Sequence, residues 1–339
     1  MISLASVKLS IVIVCWNDRE RMQDCLRSIF SGGSNPEFEV IVSDNGSTDG
    51  LAEWVRREYP QVRLVENGSN LGCAAGLNSG IRQSSGEYVL VLNPDAVVHD
   101  GALAALVACA ERHPEAGAFG CRILNADGRE QQPGLPFPSL WREWIDALGL
   151  HRVARLVIPI ARLLQGDSAA DRPIPWPSGC CALFRADVVT ALGGFDDQFF
   201  YTYDEVDLCW RMRARGYSAF YTPLAVVTHV GGQSALPFPI RFELERYRNR
   251  YRYYYKHFGA RRLPAVRRAV QVRLRVRQLA YGFLNLFSSA ETVRQRVEVL
   301  GVVARWNKAL DPVRFVEKGE EPASETPAGS RAERRQPQA

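Results

Sequence analysis

No C-x-x-C pair occurs among the eight cysteines, Cys15, Cys25, Cys73, Cys109, Cys121, Cys180, Cys181 and Cys209. That spacing argues against a zinc ribbon and against a disulfide framework, and it predicts a reduced cytoplasmic protein. No unbroken apolar run reaches the ~18 residues that a simple membrane-spanning helix needs. A secretory leader is not expected either, because the apolar run at 9–15 is too short for one and leads straight into Asn17-Asp18. The turn after that run is Trp16-Asn17-Asp18-Arg19, nothing like G-x-G-x-x-G, which excludes a dinucleotide-binding oxidoreductase. No internal repeat is present.

What is there is ordinary in bulk and uneven in detail. A chain of 339 residues, 46% hydrophobic and 23% charged, can bury one generous α/β domain with an appendage, or two domains. The formal net charge is only +5, yet a large share of the arginines crowds residues 241–277, so a local basic surface is expected.

The N-terminal half alternates β-branched runs with helical spacing. LSIVIVC at 9–15 reads as a strand buried on both faces, residues 19–30 as a helix, FEVIVS at 38–43 as a second strand, 51–59 as a helix and VRLV at 62–65 as a third strand. This pattern predicts an α/β protein with a mostly parallel open sheet flanked by helices. Further on, 103–112 and 206–215 read as helices, 140–164 as amphipathic helical, 166–177 as loop and 180–184 as strand-like. Ligands of such sheets bind beyond the carboxyl ends of the strands. The polar turns at Asn17-Asp18, Asp44-Asn45-Gly46, 67–78 and Asn93-Pro94-Asp95 are therefore expected along one edge.

Three stretches carry chemistry. DNGSTD at 44–49 is composed as turns and helix caps are, and Asp44 at a strand end also suits a hydrogen bond from a nucleotide base or ribose. Asn93-Pro94-Asp95 suits a β-turn, and equally a divalent cation, since magnesium takes one or two carboxylates plus substrate phosphates. In GGFDDQFFYTYDEVDLCWR at 193–211, Asp204, Glu205 and Asp207 fall in the first helical turn, where the helix dipole favours acids. Beside Phe199, Phe200, Tyr201 and Tyr203 they also describe a carboxylate whose apolar surroundings raise its pKa towards general-base range.

The order of 11–17, DNGSTDG at 44–50, NLG at 70–72 with GLN at 76–78, LNPD at 92–95, 193–211 and THVGGQS at 228–234 resembles family 2 glycosyltransferases, nearest the bacterial rhamnosyltransferase-like subgroup. The likeness covers roughly residues 9–259. It implies a GT-A fold, a nucleotide-diphosphate sugar donor, Mg2+ or Mn2+, and inversion at the anomeric carbon. Carried over by position, Asp44 matches the acid at the nucleotide base, with Asn17 and Asn45 beside it. Asp95 matches the last acid of the metal-binding D-x-D, and Asn93 departs from that form at its first position. Gly72 and Asn78 match the loop beside the donor, and His229 matches a histidine near the diphosphate and metal. Relatives often read Glu-Asp before Val-Asp-Leu, whereas this chain reads Asp204-Glu205. Glu205 is the expected base, with Asp204 its rival. The Q-x-x-R-W signature of processive synthases is absent, so one sugar per encounter is expected.

The expected layout is a glycosyltransferase domain at 1–240, its nucleotide-sugar half about 8–125 and acceptor half about 126–240. A basic, aromatic helical extension follows at 241–316, then a disordered tail at 317–339. Arginines interleaved with Tyr247, Tyr251, Tyr253, Tyr254, Tyr255 and Phe258, followed by apolar 279–287 and 297–306, suit an anionic membrane surface. A solvated helical face has the same composition, and no nucleic-acid module accompanies it, so nucleic acid is not an expected partner. The function expected is transfer of rhamnose from dTDP-rhamnose to a saccharide or polyprenyl-linked saccharide acceptor in cell-envelope synthesis, at the inner face of the cytoplasmic membrane. A non-catalytic nucleotide-sugar or carbohydrate binding module on the same fold is the alternative; the acids at Asp44, Asp95 and Glu205 speak against it.

Overall fold

A computed structural model describes residues 7–33, 35–131, 134, 136–150, 170–231, 239–287 and 290–322. The described residues form two compact units, one drawn from Met1–Phe137 and Ser168–Pro237, the other from Pro138–Asp167 and Phe238–Ala339. Residues 138–150 fall with the C-terminal helices in the second unit.

The first unit is built on one sheet. Its elements in chain order are β1 (Leu9–Cys15), α1 (Arg19–Ser31), β2 (Phe38–Asp44), α2 (Leu51–Glu58), β3 (Arg63–Glu66), α3 (Cys73–Ile81), β4 (Tyr88–Leu92), β5 (Ala96–Val98), α4 (Ala102–Arg112) and β6 (Ala116–Leu124). After α5 (Leu140–Ala147) of the other unit come β7 (Arg172–Ile174), β8 (Cys181–Arg185), α6 (Ala186–Ala191), α7 (Asp204–Ala214) and β9 (Ser218–His229). The strand order is β3-β2-β1-β4-β8-β6-β9-β5, with β7 also on β9. β3, β2, β1 and β4 are parallel, as their unbroken aliphatic runs predict. Beyond β4 the sheet is mixed: β8 is antiparallel to both β4 and β6, and β9 is parallel to β6 but antiparallel to β5 and β7. Helices α1, α2 and α4 bury Met22, Leu26, Ile29, Leu51, Val55, Leu103 and Leu106 against Ile11, Ile13, Val40, Leu90 and Leu92.

Two expectations change here. Residues 166–177 were read as loop, yet 172–174 are β7. Residues 67–78 were read as a polar turn, yet the helix α3 begins at Cys73 and carries Asn78. Its glycines hide it in the sequence. They serve contact: a Cβ on Gly80 would come within 2.4 Å of Val12 Cγ1, so the helix lies against β1 closer than alanine permits.

In the second unit α5 joins α8 (Pro239–Phe258), a 3-10 turn at Ala260–Arg262, α9 (Leu263–Phe287), α10 (Glu291–Ala309) and α11 (Pro312–Lys318). Its core holds Tyr251, Tyr253, Tyr254, Leu263, Val270, Leu274, Leu300, Val303 and Trp306. Tyr251 donates its hydroxyl hydrogen to Asn307 Oδ1, Tyr254 Oη donates to Glu143 Oε1 at 3.2 Å, and buried Arg248 pairs with Glu245 at 2.8 Å. The interleaved tyrosines expected at a lipid interface are therefore largely core residues, and so are Val299, Leu300, Val303 and Trp306 of the 297–306 segment. A helix whose aromatic stripe recurs every three to four residues buries that stripe first. The expected tail at 317 also starts too early: α11 runs to Lys318, and Glu321 binds Arg248 at 2.6 Å. The rest of that tail, like Gly232, Gln233 and Ser234 and the second part of the 140–164 helix, lies outside the described residues. Among the described residues no helix is long and apolar enough to cross a membrane.

Candidate active site

Strand directions gather the polar turns. β1, β2 and β4 are mutually parallel, β8 runs against them, and β6 and β9 run with them. The carboxyl ends of β1, β2, β4 and β9 and the start of β8 hence share one edge, bringing Asn17, Asp44, Asn93, Asp95, Ser178–Cys180 and His229 into one row.

At one end of the row the turn and cap reading of DNGSTD is realised. Asp44 Oδ1 accepts from Ser47 N at 2.9 Å, Asp49 Oδ1 accepts from Leu51 N at 3.2 Å at the start of α2, and Asn17 Oδ1 accepts from Thr48 N at 2.7 Å. Asp44 is nonetheless buried at the carboxyl end of β2, the edge at which open α/β sheets bind their ligands. A polar cleft of about 350 Å³, lined in part by Asn17, Arg19, Arg21 and Asp49, opens beside this turn. Asn45 has a supporting part: its amide donates to Gly72 O at 3.0 Å and accepts from Asn67 at 2.9 Å.

Gly72 and Asn78 hold the segment that presents the acids. Gly72 has φ 87°, and a Cβ there would meet Phe200 Cδ2 at 2.6 Å and its carbonyl at 2.7 Å. The next amide, Cys73 N, donates to that carbonyl at 2.8 Å. Asn78 donates to Phe195 O at 2.7 Å and Asp197 Oδ1 at 2.6 Å and accepts from Phe195 N at 2.9 Å. Its amide is committed to this clamp, in a helix, where a loop contact with donor was expected. Gly194 completes the fit, since a Cβ there would fall 2.5 Å from Asn78 Oδ1.

The clamped segment ends in strain. Thr202 and Tyr203 adopt left-handed φ of 64° and 71°, immediately before Asp204 and Glu205 open α7. Two consecutive non-glycine residues in that region cost about 1–3 kcal/mol each and persist only where packing imposes them. Asp204 is buried against the Cys73 thiol and Glu205, while Glu205 keeps part of its surface open. Burial raises the carboxyl of Asp204 above its ordinary range; burial, then the neighbouring Asp204, pushes Glu205 well above its own. Such an acid resists ionisation and, once ionised, takes a proton readily. Asp207, third in the cluster, is fully buried and pairs with Arg211 at 2.8 Å. Arg211 also donates to Leu192 O and Gly194 O, so this pair anchors α7 to the glycine turn.

Asp95 and His229 make the other pole. Asp95 Oδ1 lies 3.2 Å from His229 Nε2, Oδ2 accepts from Gly231 N at 3.1 Å, and the Asn93 amide is 3.2 Å from the same imidazole nitrogen. Burial works against both charges, yet the contact wins: the Asp95 hydrogen bond, aided by the Cys180 thiol, takes His229 up to about 10, and His229 holds the Asp95 carboxyl below its usual value. The donor set fits a divalent ion. Two ligands on adjacent corners of an octahedron with bonds of about 2.1 Å stand about 3 Å apart, close to this oxygen–nitrogen separation. His229 Nδ1 is buried without a hydrogen-bond partner. Asn93 gives the site one carboxylate where a D-x-D gives two.

The tripeptide Ser178–Cys180 joins the poles, and apart from its glycine nothing in its residue types marks it as part of a site. A Cβ on Gly179 would sit 3.3 Å from the Glu205 carboxyl carbon. One residue on, Cys180 O accepts from Asn93 N at 2.9 Å. The base candidate and the metal candidate thus flank one short stretch of backbone. A separate cluster of Cys109, His113 and Asp171 also places ligand atoms within 4.8 Å of one another. There Arg112 donates through Nε and Nη2 to Asp171 Oδ2 at 3.0 and 2.6 Å, so that carboxylate already has its cation.

Solved structures share this architecture. A mannosyltransferase from Pyrobaculum calidifontis in complex with GDP-Man and Mn2+ superposes with a TM-score of 0.50 at 17% identity, over 90% of this chain and 89% of that one. GalNAc-T7 with UDP, GalNAc and Mn2+ gives 0.52 at 15% identity, over 77% of this chain and 53% of that one. The fold that they share with this chain is GT-A. Residues 10–193 match the sequence model of glycosyl transferase family 2, and the chain belongs to that family. It is 33% identical over 237 residues to the N-acetylglucosaminyl-diphospho-decaprenol L-rhamnosyltransferase of Mycobacterium tuberculosis (strain CDC 1551 / Oshkosh), covering 65% of this chain and 75% of that protein. Over 222 residues it is 27% identical to the poly-beta-1,6-N-acetyl-D-glucosamine synthase of Staphylococcus epidermidis, covering 64% of this chain and 48% of that one.

Proposed function

We propose that this glycosyltransferase moves rhamnose from dTDP-rhamnose, with inversion and one sugar per encounter, to a hydroxyl of a saccharide carried on a polyprenyl diphosphate. The name of the mycobacterial relative, an L-rhamnosyltransferase acting on N-acetylglucosaminyl-diphospho-decaprenol, supports the sugar and the acceptor class; the dTDP nucleotide and a place at the inner face of the cytoplasmic membrane, in cell-envelope synthesis, are part of the proposal. The observation that carries the reading is the pair of poles flanking Ser178–Cys180, a raised, accessible acid on one side and an Asp-His pair on the other.

In this mechanism Asp44 with Asn17 receives the nucleoside end of the donor. Asp95 and His229 would hold Mg2+ or Mn2+, which would supply neutralisation of the charge on the departing diphosphate. Glu205 takes the proton from the acceptor hydroxyl as its oxygen attacks the anomeric carbon from the face opposite the diphosphate. Asp204 is buried and hydrogen-bonded to the Cys73 thiol and to Glu205, so its proton or charge tunes Glu205. The acid pair and the Asp-His pair act on opposite ends of one displacement, which is what inversion without a covalent intermediate requires.

The test is transfer with a short polyprenyl-diphospho-N-acetylglucosamine acceptor and separate dTDP-, UDP- and GDP-sugars, each with and without Mn2+. Rhamnosylated product with release of dTDP is expected. Turnover confined to another nucleotide sugar removes the rhamnose assignment.

A further inference from the structure

The outward face of α9 changes character along its length. Leu263, Val266, Ala269, Val270 and Leu274 face the core. On the other side, at 100° per residue, Arg268, Arg275, Leu279 and Leu286 fall within about 40° of one another, with Phe283 about 60° from Arg268. The last turns are apolar and open to solvent: Leu279 is 75% exposed, Phe283 63%, Leu286 76% and Phe287 77%. Phe283 and Phe287 pack against each other with ring centroids 5.0 Å apart and planes tilted by 58°. A cluster of four large apolar side chains at one helix end is more than scattered surface exposure explains.

Charge says what covers it. Residues 239–318 contain nineteen Lys and Arg against six Asp and Glu, in a chain whose net charge is only +5. Many of these arginines are committed inside the unit, as Arg248, Arg250 and Arg277 are to Glu245, Glu143 and Glu243. Arg268, Arg275, Arg294 and Arg296 are exposed, the first two on the same face as the apolar end and the others early in the following helix. A second protein copy would face the same positive field and be repelled, whereas an anionic bilayer offers phosphates to the arginines and acyl chains to the leucines and phenylalanines.

We propose that the C-terminal turns of α9, through Leu279, Phe283, Leu286 and Phe287, insert into the interface of an anionic phospholipid bilayer, with Arg268, Arg275, Arg294 and Arg296 on its headgroups. This deepens the membrane location given above and rests on it only for the acceptor. The helix lies in the interface and does not cross it; the tyrosines of α8 stay in the protein core.

The experiment is flotation of the full chain with vesicles of phosphatidylglycerol and phosphatidylethanolamine, against phosphatidylcholine alone, for the wild type and a Leu279→Ser, Phe283→Ser, Phe287→Ser variant. All three side chains are solvent-exposed, so an unchanged melting temperature is expected and is measured alongside. The wild type should float with anionic vesicles at low salt and be released at high salt, and the variant should bind about tenfold or more weakly. Equal flotation of both proteins overturns this surface while leaving membrane attachment standing. Flotation of neither overturns both, and a wild-type dimer that the variant converts to monomer assigns the patch to self-association. Thermal stabilisation by dTDP, measured on both proteins, reports the sugar-donor site independently.

Discussion

Replacing Glu205 by Gln separates chemistry from stability at one atom. The side chain keeps its size and can donate to Asp204, so the contact at the start of α7 survives while the proton acceptor is lost. Removing a positioned general base costs about 10²- to 10⁴-fold in kcat, or about 2.7–5.4 kcal/mol of barrier. Donor KM should stay within about twofold, because the proposed mechanism sets Glu205 at the acceptor and not at the donor. Stability should move the other way. Burial raises the folded-state pKa of both acids, and Asp204 raises that of Glu205 further. A raised acid is at no disadvantage below the ordinary carboxylate value of about 4.3; as pH climbs from there to the raised value, the unfolded chain ionises first and the fold loses stability. The variant should therefore melt with the wild type near pH 4 and at a higher temperature than it at pH 7–8. The assay is rhamnosyl transfer at saturating donor beside melting curves across that pH range. Turnover within about tenfold of wild type refutes Glu205 as base. If Asp204→Asn abolishes transfer instead, the base is its neighbour; a pH-independent melting difference refutes the electrostatic argument itself.

Other substitutions read the supports. Gly72→Ala puts a methyl into the Phe200 backbone at 2.7 Å with φ at 87°, so it should lower stability by about 1–3 kcal/mol and transfer with it, seen as parallel loss of melting temperature and kcat. Asn78→Ala removes three hydrogen bonds to 195–197 and should cost about 1–3 kcal/mol, with kcat falling more than donor affinity; an effect on donor affinity alone would restore the donor-contact role expected for it. His229→Ala should weaken Mn2+-dependent donor binding by about 10- to 100-fold in calorimetry, with metal-free nucleotide binding little changed. Trp306→Ala opens a cavity among Tyr251, Phe315 and their neighbours and should cost about 3–5 kcal/mol by denaturant melting, with the sheet unit's near-neighbour contacts unaffected.

Much of the parallel half was legible because strands buried on both faces have to be continuous aliphatic runs, as β1, β2 and β4 are. Other elements were hidden by the residues that make them work. The segment forming β6, AGAFGCRIL, carries two glycines where Pro177, Ile174 and Met212 press close. β9, the longest strand, contains Pro223 within the register break between Thr222 and Val226, and a proline in a run reads as its end. Helix α3 is too rich in glycine to look helical, since its packing on Val12 and Val14 excludes side chains there.

The sequence alone determined the family, the order of strand and turn in the first half, and which residue types stand at the strand ends: these are local properties, set by side-chain period and turn chemistry. Only the tertiary structure decided what each polar residue is committed to. Asn78 and Asn45 spend their amides on packing the loops, Asp207 on Arg211, and the α8 tyrosines on a core, while Glu205 alone of its cluster combines a raised pKa with access to solvent. Those commitments depend on partners from 4 to 119 positions away. A pKa follows burial and the nearest charge, and neither is a property of the residue's own stretch of chain.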